Sequence, residues 1–126
     1  MKVAGIGCRS GIDAGEVLAA IDAALEAHAL DRASLGAVAT VPQKADEPAL
    51  TEAARTLGLM LLVVDADQLE RVRQKIVTRS VASLAATGFD SAAEAAALAA
   101  TGDAGELLGP RIVLGNVTCA IAEAGR

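Results

Sequence analysis

This sequence predicts a three-layer α/β/α domain with a mixed, mainly parallel sheet that ends in a β-hairpin. Three observations predict it. Short apolar runs alternate with longer segments of helical period, and the turns between them are short. The run Leu59 to Val64 is apolar without interruption, the pattern of a strand at the centre of a sheet covered on both faces. Near the end, Gly115-Asn116 separates two strand-like runs, a strong two-residue hairpin signal.

Lys2 to Ile6 reads as the first strand. Asp13 or Ser10 caps a helix that runs to about His28 and buries Val17, Leu18, Ile21, Ala24 and Leu25. Leu35 to Thr40 is the second strand. After a loop with Pro42 comes a helix from about Glu47 to Leu57, capped by Asp46, with Pro48 in its first turn and Gly58 as its stop. Following Leu59 to Val64, Asp65 or Asp67 opens a short helix, and Thr78 to Ala86 forms another, closed by Gly88. Ser91 starts the helix Ala92 to Ala100, and Ser91 with Glu94 has the spacing of a capping box. Arg111 to Leu114 and Val117 to Ala122 are the arms of the hairpin, so the last strand runs antiparallel to its neighbour.

With 126 residues and no linker, repeat or low-complexity tail, residues 1–126 are expected to form a single domain. Apolar residues make up 53% of the chain and the one aromatic is Phe89, so Ala, Val, Leu and Ile must build the core, with close helix packing through alanine. The net charge is −5, and basic stripes and stacking aromatics are missing; both argue against nucleic acid as a partner. Between Leu69 and Ser80 the chain carries Arg71, Arg73, Lys75 and Arg79 against Glu70. This is either a solvated helix face or a local basic wall for an anionic small molecule.

Cys8 and Cys119 stand far apart with no framework spacing, as in a cytosolic free-thiol protein. The amino terminus enters a strand directly and no apolar run is long enough to span a bilayer. The expectation is therefore a cytoplasmic protein with no signal peptide and no membrane partner. One histidine, two separated cysteines and no acidic cluster of ligand spacing predict no metal site, and no cofactor is expected.

The chemistry-bearing stretch is Gly5-Ile6-Gly7-Cys8-Arg9-Ser10-Gly11, where a strand runs through a glycine-rich turn into a helix. Glycines admit a ligand to the backbone, and a helix amino terminus attracts carboxylate or phosphate. Gly7, Cys8, Arg9, Ser10 and Gly11 are therefore candidate binding residues; a turn that merely packs helix on strand would also use glycine. Arg9 and the helix start favour a Cys8 thiolate. The basic partner of a nucleophile is missing, because His28 falls at the far end of the following helix. In open α/β sheets, ligands collect beyond the carboxyl ends of the strands. Val41-Pro42-Gln43-Lys44-Ala45-Asp46-Glu47 lies at such an end, which adds Gln43, Lys44 and Glu47. Thr78, Arg79, Ser80, Ser91 and Glu94 stand at two more helix starts, where capping also accounts for their hydroxyls. Cys8, Glu47 and Glu94 are the candidates for chemistry.

At these residues the chain resembles a known family, CobE and the C-terminal domain of CbiG, proteins of cobalamin (vitamin B12) biosynthesis. The resemblance runs over essentially the full length. It is carried by the Gly5 to Gly11 stretch, Ala39-Thr40-Val41-Pro42-Gln43-Lys44-Ala45-Asp46-Glu47, Thr78-Arg79-Ser80, Ser91 to Leu98, and Val117-Thr118-Cys119-Ala120-Ile121-Ala122. Where this chain has Val41-Pro42 the family commonly has Ile-Asp, and where it has Arg79 the family commonly has proline. The first difference weakens any acid–base role in the loop, and the second adds charge beside the candidate pocket.

The resemblance implies a place in a tetrapyrrole pathway. Full-length CbiG-like proteins are associated with hydrolytic opening of a δ-lactone on a cobalt-precorrin, with loss of a two-carbon fragment. A stand-alone domain of this kind has three readings. It binds a precorrin or other corrinoid intermediate as a carrier or accessory protein, it is a precorrin hydrolase, or it is an assembly module that contacts pathway enzymes. The first is the expectation, because corrinoid carboxylates suit Arg9, Lys44, Arg79 and the helix amino termini, while a nucleophile–base pair is missing.

Overall fold

The computed structural model describes residues 1–79, 84–85 and 91–125. Six strands, β1 (Lys2–Cys8), β2 (Leu35–Thr40), β3 (Met60–Val63), β4 (Glu106–Leu107), β5 (Ile112–Leu114) and β6 (Val117–Glu123), form one sheet. The helices among the described residues are α1 (Ala14–Ala27), α2 (Pro48–Leu57), α3 (Ala66–Val72) and α4 (Ala92–Thr101). Strand order is β3-β2-β1-β6-β4, with β5 also on β6. β1, β2 and β3 are parallel, whereas β6 is antiparallel to β1, β4 and β5. The mixed sheet and the C-terminal hairpin match the sequence reading.

Successive residues of β1 point to opposite faces, and the two faces carry two cores. Ala4 and Ile6 pack with Val17, Ile21 and Leu50 of α1 and α2. Val3 packs on the other side with Ala37, Ala39, Leu69 of α3, and Ala96 and Leu98 of α4. That second layer is unusually close. A Cβ placed on Gly5 would lie 2.1 Å from the Ala93 carbonyl oxygen and 2.6 Å from the Ala97 nitrogen. Glycine in β1 and the alanine run of α4 are thus two halves of one contact, in which backbone meets backbone.

Two expectations need correction here. β3 is an edge strand, not a central one: Met60 is 71% exposed and Val63 45%. The centre of the sheet shifts to β1 because β6 inserts on its far side. Thr78 and Arg79 are not helical, Leu84 and Ala85 are, and the rest of the helix expected over 78–86 lies outside the described residues. The two-residue strand β4 has no counterpart in the sequence reading.

Candidate functional site

The carboxyl ends of β1 and β2 lie side by side, and the loops that leave them meet. Thr40 Oγ1 donates to the Ile6 carbonyl at 3.0 Å and Thr118 Oγ1 to the Gly7 carbonyl at 3.2 Å, so both neighbours fix the end of β1. Arg9 N then bonds Asn116 O at 3.2 Å, which pins the departing chain to the hairpin tip. Gly11 turns through φ 81°, the left-handed region that favours glycine. Asp13 caps α1: its carboxylate accepts from Glu16 N at 2.8 Å, and Glu16 Oε2 accepts from Asp13 N at 2.8 Å. The amino end of α1 is therefore partly occupied by the chain's own carboxylates, which leaves less of the anion cradle the sequence suggested.

With Asp13 as the cap, the Ser10 hydroxyl is available elsewhere. Lys44 Nζ reaches it at 3.3 Å from the 3-10 turn Pro42–Lys44, bridging the loops that follow β1 and β2. Glu47 stands at the amino end of α2 in the N-cap position expected of Asp46, without a side-chain cap bond. Cys8 is half-buried beside them. Burial pushes its thiol above the ordinary value; the Lys44 charge pulls it down and Glu47 pushes it up. The thiolate-favouring setting inferred from Arg9 is thus overturned, because desolvation outweighs the nearby cation. Arg9, Ser10, Gly11 and Gln43 are exposed around this corner.

On the other face of β1, a Cβ on Gly7 would lie 3.5 Å from both Ala92 Cβ and Ala93 N, so the first turn of α4 abuts the glycine turn. Ser91 caps α4, its hydroxyl accepting from Glu94 N at 3.2 Å. The return half of the expected capping box goes elsewhere. Glu94 is 0% exposed, and its Oε1 accepts from Val77 N at 2.8 Å and Thr78 N at 3.0 Å. Its Oε2 accepts from the Thr78 hydroxyl and from Arg111 N at 2.9 Å. The carboxylate joins three chain segments and is saturated by neutral donors. Arg79 follows, exposed, and Ser80 lies outside the described residues.

The basic wall suggested between 69 and 80 is mostly committed. Arg73 pairs with Glu70 at 2.9 Å, and Lys75 Nζ donates to the carbonyls of Asp103 at 2.8 Å and Gly105 at 2.6 Å. Thr118, Asn116 and Arg111 were not singled out as site residues. The Gly115-Asn116 turn predicted the hairpin, but nothing local indicated that its tip meets Arg9. His28 ends α1 beside Gly109, about 21 Å along the helix from its start, well away from Cys8. Among the described residues no group of three or more His, Cys, Asp or Glu is placed to hold a metal ion, and no helix is long and apolar enough to cross a membrane. An open groove of about 490 Å³ lies at the opposite end of the sheet. There Glu106 and Glu123 stand opposite each other on β4 and β6, a setting hostile to an anion.

The glycine turn, the Lys44 loop and the α4 start lie within one family pattern. The family model for the cobalamin synthesis G C-terminus matches residues 2–122. The chain belongs to that family. Protein CobE of Sinorhizobium sp. is 32% identical over 120 residues, spanning 95% of this chain and 78% of its own length. The crystal structure of CobE, a protein from the cobalamin biosynthetic pathway, superposes with a TM-score of 0.90 at 32% identity, covering 97% of this chain and 89% of CobE. The cobalamin biosynthesis protein chiG from Agrobacterium tumefaciens str. C58 is 44% identical over the full length of both chains, with a TM-score of 0.79. A cobalamin biosynthesis protein G homologue from Sulfolobus solfataricus shares the fold, with a TM-score of 0.73 at 23% identity over 96% of this chain and 36% of its own. Membership of the CobE/CbiG C-terminal family makes this chain a cobalamin biosynthesis protein.

Proposed function

We propose that the protein binds a corrinoid or precorrin intermediate of the cobalamin pathway at the carboxyl ends of β1 and β2, as a carrier or accessory protein. The observation that carries this reading is the Lys44–Ser10 bridge at 3.3 Å, which joins two loops into one polar corner with exposed Arg9 beside it. Corrinoid intermediates are rimmed with acetate and propionate carboxylates. A cation and a hydroxyl already in contact, next to a guanidinium, suit such a rim. The net charge of −5 is no obstacle, because at about 0.15 M salt distant charges are screened beyond about 8 Å.

A carrier needs no nucleophile, and the corner offers none that is activated. Burial pushes the Cys8 thiol up, away from the thiolate, and the only histidine sits at the other end of α1. A visible-range titration tests the binding reading. The chain has no Trp or Tyr, so it contributes no bands of its own. A shift of the corrinoid bands on adding protein, with co-elution, is expected. Unchanged bands and separate elution at high micromolar ligand would overturn it.

A further inference from the structure

Glu94 is fully buried, and its four hydrogen bonds exhaust what a carboxylate accepts. It therefore has nothing left to offer a ligand. Burying a carboxyl group is expensive, and an apolar side chain would fill the same space at less cost. What the carboxylate supplies is a tie between the segment after α3 and the segment entering β5. Lys75 is bound beyond the carboxyl end of α4 and Thr78 at its first turn, so residues 75–78 run alongside the helix. Arg111 is held by its main-chain N–H, not by its side chain. Arg111 stands just before β5, and its main-chain bond to Glu94 holds it beside the first turn of α4. Among the described residues its half-buried guanidinium has neither a hydrogen-bond nor an ion-pair partner.

We propose that Glu94 is a positioning residue that presents the Arg111 guanidinium as a carboxylate-binding group of the same site. Arg9 and Lys44 serve one flank of that site, and Arg111 serves the flank formed by the first turn of α4, which abuts Gly7. Cations on two sides of β1 suit a ligand whose carboxylates are spread around a macrocycle. The inference rests on the binding reading above.

The test uses the full chain and two probes, dicyanocobyrinic acid with free carboxylates and its methyl ester. Arg111→Gln is expected to weaken binding of the free acid about tenfold while leaving the ester unchanged, and Arg111→Lys to recover most of the loss. Glu94→Gln keeps the shape but opposes an NH₂ to the Arg111 N–H. It is expected to weaken the acid by the same factor, with no further loss in the double variant. If Glu94→Gln fails to fold, Arg111→Gln and Arg111→Lys decide the matter. Binding of the acid within about twofold of wild type in Arg111→Gln, or losses that multiply in the double variant, would overturn the proposal. Wild type that binds neither probe would overturn the binding reading itself, and this inference with it.

Discussion

Lys44 and Glu94 are both charged side chains near the carboxyl ends of the central strands, on opposite flanks of β1. Lys44 is half-buried, bonds one exposed hydroxyl and keeps donor capacity to spare. Glu94 is 0% exposed and bonds two main-chain amides of one segment, the adjacent hydroxyl and an amide of another. A fully buried carboxylate with four donors organises the chain around it, while a half-buried ammonium with donors to spare remains able to meet a ligand. The α4 flank thus ties chain segments together through Glu94, and the β1–β2 corner keeps donors to spare.

The α4 flank should fail first under substitution. Gly5→Ala forces a methyl group to within 2.1 Å of the Ala93 carbonyl oxygen, where neither backbone can yield cheaply. A loss of about 4 kcal/mol is expected in urea unfolding. A loss under about 1 kcal/mol would mean that α4 is not seated on β1 as described. Glu94→Ala strips the acceptor from three amides and a hydroxyl, for which about 3 kcal/mol is expected.

The thiols extend the comparison. Burial pushes Cys119 up to about 12, so the folded state holds this proton more tightly than the unfolded chain does. Its contribution is complete below the unfolded value of about 8.5 and fades as pH rises toward the folded one. Stability should fall by about 2 kcal/mol between pH 7 and pH 10, and Cys119→Ala should remove that part of the fall. Cys8 is raised by burial but is only half-covered, so iodoacetamide should modify it in the folded protein, and Cys119 only on unfolding. Equal labelling of the two would erase the contrast. The smallest effect belongs to the corner: Asp13→Ala loses a cap worth about 1 kcal/mol and leaves the Lys44–Ser10 bridge in place.

What was legible in the sequence was local. The residues Leu35 to Thr40 form β2 as read, Gly58 closes α2 in the left-handed region at φ 71°, and Gly115-Asn116 turns the hairpin. The position of β3 was not legible, because an apolar run looks alike at the centre and at an edge. Its place depends on β6 inserting beside β1 from more than a hundred residues away. The Ser91–Glu94 spacing gave half an answer for the same reason. The hydroxyl caps locally, while the carboxylate goes to partners 16 and 17 residues away that no local pattern reveals. At Cys8 the neighbouring Arg9 suggested a thiolate-favouring setting, while the burial that pushes the thiol up depends on packing that the local sequence does not show.

The central claim is that the corner at the ends of β1 and β2 receives the carboxylates of a corrinoid. It is tested most directly by titrating wild type and Lys44→Ala with dicyanocobyrinic acid and following the visible bands at low and high salt. The account predicts a band shift with wild type, and affinity about tenfold weaker for Lys44→Ala at low salt. That gap should narrow at high salt, with stability changed by less than about 0.5 kcal/mol. No band shift with wild type, or equal affinity of the two proteins at low salt, would contradict it.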